Sequence, residues 1–430
     1  MGALDGININ NSTCQTSILC SKNTPTFEQG RKGDTPSNQS NTPSPVSPQN
    51  LTFQFTLQSV SYHTFDNHEE LSLPIFPFGG DTDSFVTNMI SFNRLYELLF
   101  SGLAATTLGR LLNLLKSIAF SYLTHEGGHI SSVEGGVYYG IGPLSFTRTG
   151  IAPGYYTADW STQSGGFRAT EALRKKLGMN MSNGDIYLSD SSLYFLASFD
   201  PLVQLFYRLA FDAQNDISNY VWSLNRQFPT YNLKETHVAS AIVFQMFDPM
   251  LAFSLAHIIG QISGNEQAQE IPFFYPLGKT IGFFPFTGIN FSPFGPEYKG
   301  GFYLRLNLGD ELIAGNLYGR GNQIQENVLG GGGAELERIP TFWDFLKLDA
   351  GFHFWGQPPI RYKPSLPIGI PQKFFPEEPK GFFYAHAGAR LNATNDLSIN
   401  IDFGYKQPGF FETFPLGEVL RFTLGLAFSL

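Results

Sequence analysis

Leu420-Arg-Phe-Thr-Leu-Gly-Leu-Ala-Phe-Ser-Leu430 alternates without a break. Leu420, Phe422, Leu424, Leu426, Phe428 and Leu430 fall on one face of an extended chain, and Arg421, Thr423, Gly425, Ala427 and Ser429 on the other. A period of two held this long specifies a β-strand with one wholly apolar face.

The same period recurs upstream. Leu51, Phe53, Phe55 and Leu57 alternate with Thr52, Gln54, Thr56 and Gln58. Phe302 to Leu308 alternates before a Gly309-Asp310 hairpin turn, and Leu346–Phe354, Phe383–Leu391 and Leu397–Phe403 follow the same rule. About eight to nine strands are expected, of about 9–12 residues each, close to the 9–11 that a tilted membrane-spanning strand needs. A soluble sandwich, with its apolar face turned inward, produces the same alternation, so the direction of that face stays open. The last strand also looks like the C-terminal strand of outer-membrane barrels, with the departure that Phe428 stands two residues before the terminal Leu430. Pairing of strand 51–60 with strand 419–430 is expected to close the barrel.

Composition points the same way. Charged residues make up 15% of the 430 residues, against about 25% in ordinary soluble proteins. Aromatics are another 15%, with 42 Phe and 45 Gly, while mean hydropathy is only -0.09. Low charge with many aromatics and glycines fits a transmembrane β-barrel better than a helical membrane protein. The net charge of -9 argues against nucleic acid as a partner. Cys14 and Cys20 are too few for a cysteine zinc site, and could form a small disulfide loop in an oxidising compartment. No cationic, apolar signal peptide stands at Met1.

Between Asn93 and Leu123 the period changes to that of a helix, through Leu95, Leu98, Leu99, Leu103, Leu108, Leu111, Leu112, Leu115 and Ile118. Arg94, Glu97, Arg110 and Lys116 interrupt it, so a bilayer-spanning helix is not expected. The run begins near Phe92 and ends on His125-Glu126-Gly127-Gly128-His129, which reads H-E-x-x-H. Positions i and i+4 share a helix face, so two imidazoles can aim at one metal ion with Glu126 beside it. Each glycine costs a helix interior about 1 kcal/mol, so the adjacent pair implies close approach by another backbone or a substrate. Gly165-Gly166 is expected to be a turn opening a helix. Two further helical stretches, near 189–224 and 235–263, carry Phe199-Asp-Pro-Leu202 and its echo Phe247-Asp-Pro-Met250. Asp before Pro is an ordinary helix start; the functional alternative is a carboxylate facing the metal. His257 reads as a satisfied core histidine.

The five-residue motif resembles the zincin metallopeptidases, and the chain as a whole an outer-membrane barrel carrying such a motif. The resemblance implies His125 and His129 as zinc ligands, Glu126 as general base, and a downstream glutamate as third ligand. Glu171 is the expected one, with Glu134, Asp159, Asp200 and His237 as rivals. Gly165-Gly-Phe-Arg-Ala-Thr-Glu171 is also similar to the glycine-helix segment of membrane-anchored AAA peptidases. An oxyanion donor is open among Tyr155, Tyr156 and His237.

The expected architecture is α+β, an antiparallel barrel-like sheet with an inserted helical zincin-like domain. Residues 1–50 form a disordered Ser/Pro/Asn-rich tail, 51–90 the first strand and its connection, 91–270 the helical metal-binding domain and 271–430 the C-terminal antiparallel region. The expected function is a zinc-dependent, membrane-associated metallopeptidase acting on a peptide or protein, with lipid as a partner, at the outer membrane of a Gram-negative-type bacterium. A non-enzymatic outer-membrane barrel with a helical plug is the alternative.

Overall fold

A computed structural model describes residues 52–65, 68–72, 82–100, 106–131, 159–182, 186–212, 214–227, 232–264, 275–277, 280–308, 311–322, 330–357, 360–362, 373–375, 380–394, 396–414 and 417–429. The expected tail and both cysteines lie outside these residues, as do the strand-like pieces at 137–139 and 144–148. Residues Asn50–Leu430 form one compact unit.

The strands are β1 (Thr52–Phe65), β2 (His68–Ser72), β3 (Tyr275–Leu277), β4 (Ile281–Ser292), β5 (Gly295–Leu308), β6 (Glu311–Gly321), β7 (Gly331–Pro340), β8 (Leu346–Gln357), β9 (Ile360–Tyr362), β10 (Lys373–Phe375), β11 (Lys380–Asn392), β12 (Leu397–Lys406) and β13 (Glu418–Ser429). Eleven form one sheet in the order β2-β1-β13-β12-β11-β8-β7-β6-β5-β4-β3, while β9 and β10 pair apart. Among the described residues, nine of the sheet's strands run 10 to 14 residues. The α+β class and the strand count stand as expected. So does the pairing of β1 with β13, from Thr52↔Ser429 to Thr64↔Glu418. Among the described residues β2 and β3 are the ends of the strand order and no pairing joins them.

The direction left open by the alternation is resolved by burial. Phe352 and Phe403 are each 53% exposed on the outward face, whereas the inward His353 and Lys406 are 0% exposed. Phe302, Leu317, Phe354, Leu420 and Phe422 are also exposed. The polar face is therefore the buried one, the reverse of a water-soluble sandwich. Lys406 survives there because its ammonium donates to the carbonyls of Gln407, Gly409 and Gly417 at 2.9, 2.7 and 2.8 Å.

Helices cover that inward face: α1 (Thr82–Leu99), α2 (Thr107–Ser131), α3 (Asp159–Ser182), α4 (Leu188–Phe211), α5 (Asp216–Gln227), α6 (Glu235–Gln245) and α7 (Pro249–Ile262). Against β4–β6 apolar packing, with Leu173, Leu177, Tyr194 and Met250 on Phe284, Phe286 and Tyr303, surrounds the Arg174 contact to the Thr287 carbonyl. Farther round it is ionic: Lys175 reaches Glu335 of β7 at 2.5 Å, and Arg421 of β13 reaches Asp83 of α1 at 2.9 Å.

The single apolar run expected from Phe92 to the metal motif is two helices. Thr106 starts the second, its Oγ1 accepting from Gly109 N at 3.0 Å. The stretch expected near 189–224 also divides, at Asp212, whose φ is 46°. That near 235–263 divides at Asp248, which caps α7 by accepting from Met250 N with Pro249 in the first turn. Pro201, by contrast, sits inside α4 without ending it.

One contact governs the edge of the sheet. β2 covers β1 only from Ser61 onward, which leaves backbone groups of Gln54 and Thr56 without a strand. Ser91 and Asn88 of α1 take them up. Gln54 N donates to Ser91 Oγ at 2.9 Å, and the same hydroxyl donates to Gln54 O. Thr56 N donates to Asn88 Oδ1 at 2.8 Å, while Asn88 Nδ2 donates to Thr56 O at 3.3 Å. Two side chains one helical turn apart thus do the work of a neighbouring strand. Replacing both by Ala leaves part-buried backbone groups unmet, at up to about 1 kcal/mol each. The expected result is a lower unfolding midpoint, with faster amide hydrogen exchange at Gln54 and Thr56 than in the wild type. Unchanged exchange at those two amides would show that the edge is held by something else.

Candidate metal centre

The geometry begins with helical spacing. His125 and His129 stand one turn apart near the end of α2, with their Nε2 atoms 3.1 Å apart. Two other helices bring carboxylates to them. Asp216 opens α5, whose start is fixed by a reciprocal cap: Ser218 N donates to Asn215 Oδ1 at 3.2 Å and Asn215 N to Ser218 Oγ at 2.9 Å. Asp216 Oδ2 then lies 2.8 Å from His125 Nε2 and 3.2 Å from His129 Nε2. Asp200, from α4, meets the opposite nitrogen of the first ring, His125 Nδ1, at 2.7 Å.

These three edges suit one ion. A tetrahedral ion with ligands at about 2.0–2.1 Å sets ligand atoms about 3.3 Å apart. His125, His129 and Asp216 offer two imidazoles and a carboxylate at 2.8 to 3.2 Å, and all their ligand atoms lie within 4.8 Å of one another. Asp200 supplies what a ligating histidine ordinarily needs, an acceptor on its far nitrogen that fixes tautomer and ring orientation.

The glycines explain how helices come so close. A Cβ on Gly128 would overlap Gly165 O and Ala169 of α3, a Cβ on Gly127 the Phe85 ring of α1, and a Cβ on Gly166 the His125 ring. The approach expected of the motif's glycine pair is therefore that of α3 at Gly128 and of the α1 side chain Phe85 at Gly127. Gly165-Gly166 is not the expected turn: both lie inside α3, helical and buried, because a larger residue there would push α2 away. Phe167 closes the remaining side, edge-on to His125 at 5.3 Å.

Burial pushes the His125 imidazole down in pKa, but Asp200 and Asp216 outweigh it and hold it well above its usual value. Burial likewise pushes Asp216 up, and its hydrogen bonds with His125 and His129 outweigh this and hold it well below the carboxylate range. A metal ion held there would bring positive charge to the same two carboxylates.

The other expected site residues fall elsewhere. Glu126 is half-buried, and its carboxylate takes the Tyr122 hydroxyl; burial first, then Glu126 and Asp216, raise the pKa of that phenol. Glu171, the expected third ligand, is paired with Arg174 Nη1 at 2.7 Å, with Lys299 3.9 Å away. Burial raises the pKa of its carboxyl more than Arg174 and Lys299 lower it. Of its rivals, Asp200 does reach His125, through the outer nitrogen. His237 accepts from Lys234 N at the start of α6. Glu134, Tyr155, Tyr156 and the Asp159 side chain lie outside the described residues. Asp248 holds Arg174 at 2.6 Å besides capping α7. His257 is a core histidine with Ser191 Oγ at 2.7 Å on Nδ1, its pKa lowered by burial to about 4. Asp216 was not foreseen: its only local mark is an acidic residue in a helix's first turn.

Comparison with known proteins adds little at this site. No protein-family model and no curated protein matches the chain, so the zincin resemblance rests on residues 125–129. Among solved structures, the NanC porin is similar over 36% of this chain and 76% of its own, with 10% identity and a TM-score of 0.25. OmpT, an outer membrane protein of Vibrio cholerae, is similar over 36% of this chain, with 11% identity and a TM-score of 0.22. The chain spans about half of OmpT, 52% of its length.

Elemental analysis of purified full-length variants separates the two candidate third ligands. Asp216→Asn is expected to lose one equivalent of bound metal relative to wild type, and Glu171→Gln none. The reverse outcome would return the third position to Glu171.

Proposed function

We propose that the chain is an outer-membrane β-barrel-type protein whose helical block fills the space behind the sheet and carries a zinc-type metal centre. The observation that carries this reading is the inverted partition of the sheet: large apolar side chains exposed outward, charged side chains buried inward. Water rarely tolerates so wide a belt of exposed Phe and Leu on a monomer, whereas hydrocarbon lipid requires it. Strands of 10 to 14 residues are long enough to span when tilted. No single described helix is long and apolar enough to cross a membrane, so the sheet is the spanning element in this reading. With α1 and α3 packed on the inward face, the protein is a plugged or structural barrel rather than an open pore. Lipid is its partner, and a Gram-negative-type outer membrane its place.

An arginine replacing Phe352 tests the lipid-facing assignment. On a surface in water this change is close to neutral, but at a bilayer midplane it costs about 2–4 kcal/mol. Urea titration in phospholipid vesicles is expected to show a loss of that order for Phe352→Arg, with refolding into vesicles impaired. Full stability of the variant, together with detergent-free solubility of the wild type, would sink the membrane reading.

One observation favours a hydrolytic role as a second reading. Glu126 and Tyr122 lie beside the His125–His129–Asp216 group, with the phenol feeling both Glu126 and Asp216. A bound zinc ion would supply Lewis acidity and a water of lowered pKa. Glu126 would hold the proton taken from that water, Tyr122 would orient the carboxylate, and Asp200 would keep His125 in its ligating tautomer. A peptide or protein is the substrate in this reading. Glu126→Gln is expected to keep the metal and abolish peptide hydrolysis by the holoprotein; hydrolysis undiminished in that variant would exclude Glu126 as base.

A further inference from the structure

A second group of ligating side chains meets on the inward face of the sheet, far along the chain from the first. Strand register builds it. Glu335 of β7 is opposite Gly351 of β8, and Gly351 is opposite His386 of β11. These three residues form one row, and its middle member has no side chain. A Cβ on Gly351 would overlap the His386 ring and crowd Glu335. In the next row His353 of β8 is opposite Gly333 of β7, where a Cβ would overlap the His353 ring. Two glycines thus clear the space in which one carboxylate and two imidazoles converge.

The rings are oriented as ligands are. His353 Nδ1 is 2.9 Å from Tyr318 Oη, and His386 Nδ1 is 3.1 Å from Asp402 Oδ2. Each far nitrogen therefore has a partner, and each Nε2 is turned to Glu335. His353 Nε2 lies 3.1 Å from Glu335 Oε1 and His386 Nε2 lies 4.0 Å from it. The rings are nearly parallel, 8° apart in plane. His353 is 0% exposed, yet its Nε2 makes no hydrogen bond of acceptable geometry. That buried nitrogen meets Glu335 at contact distance but off hydrogen-bond geometry, an arrangement that suits two ligands of one ion. Glu335 Oε2 is fixed separately by Asn316 Nδ2 at 2.8 Å. A polar cavity of 180 Å³, lined in part by Lys175, Glu335, His386, Asp402 and Glu412, opens on the cluster and gives an ion a way in.

We propose that Glu335, His353 and His386 bind a divalent cation of the imidazole-preferring class, zinc or a neighbouring transition metal, that ties β7, β8 and β11 together behind the sheet. Two imidazoles and one carboxylate exclude calcium and magnesium, which take oxygen ligands. Lys175 is the competing cation, 2.5 Å from Glu335 Oε1. It has a second carboxylate within reach, Glu412 at 3.7 Å, so it passes to Glu412 when the ion binds. Positive charge is exchanged at Glu335 and no new charge is stranded.

The test uses the full chain in detergent micelles, with His125→Ala removing the first centre, and Co2+ as the probe because its visible absorption reports coordination. His125→Ala is expected to bind one Co2+ with a ligand-field spectrum. Adding His386→Ala is expected to abolish binding. Adding Asp402→Asn leaves every ligand in place and is expected to weaken binding about 10–100-fold, the usual effect of losing a histidine's outer partner. Adding Lys175→Met is expected to tighten it. Absence of binding in His125→Ala, survival of binding in His386→Ala, or weaker binding in Lys175→Met would each overturn the proposal, the last by showing that Lys175 is the resident partner of Glu335. Asp402→Asn and Lys175→Met keep the test decisive if removal of the His386 imidazole prevents folding.

Discussion

Burying the cations of α3 against the sheet is the constraint on which the molecule turns. Arg174 is 3% exposed and engages Glu171, Asp248 and the Thr287 carbonyl. Lys175 engages Glu335 and Glu412, and Lys176 lies 3.6 Å from Glu337. A guanidinium left unpaired at the depth of Arg174 costs several kcal/mol, and the half-buried Lys175 and Lys176 add pairs of their own, so α3 has few positions it can occupy. Once α3 is set, Gly165 and Gly166 receive α2 and fix the height at which His125 stands. The Asp248–Arg174 pair then ties the start of α7 to the same helix. The polar interior is the framework that aligns the apolar helix contacts.

Within it, imidazoles are assembled by two different geometries. In α2 the pair His125–His129 comes from the 3.6-residue period, and its carboxylates arrive from α4 and α5. In the sheet, His353 and His386 come from register across neighbouring strands, and glycines opposite them make the room. Both groups share one feature, an acceptor on the far nitrogen of a ring: Asp200 for His125, Asp402 for His386. A ring held at one nitrogen presents the other with little loss of rotational freedom.

Much of the sheet was legible because a period of two survives in sequence whatever the fold around it. Which face meets the solvent was not, since alternation is symmetric about the strand plane. It was resolved by Phe352 standing exposed next to the fully buried His353. The histidine pair was legible through its spacing of four. Of its carboxylates, Asp200 stood among the rival ligands, but Asp216 did not: it lies 91 residues from His125 and only tertiary packing joins them. Helical position says nothing of the neighbours that claim a carboxylate, and for Glu171 these are Arg174 one turn on and Lys299. Gly165-Gly166 looked like a turn because glycine's preference for turns outweighs, in sequence, a close helix crossing visible only in three dimensions. The repeated Phe-Asp-Pro shows the same limit, one copy capping α7 and the other reaching His125 from inside α4.

The seating of α1 on β1 has a consequence for the order of assembly. Thr52 pairs with Ser429, so the partner of β1 is almost a full chain length away, and closing so long a loop is slow. Asn88 and Ser91 are only 32 and 37 residues from the backbone groups they bind. Loop-closure entropy therefore favours the helix over β13 as the first partner of β1. Until β13 pairs, the strand then has one edge already occupied, which removes half of its capacity to recruit a stray strand from another chain. A contact that finishes the sheet in the folded molecule is, on the way there, a guard on its most vulnerable strand.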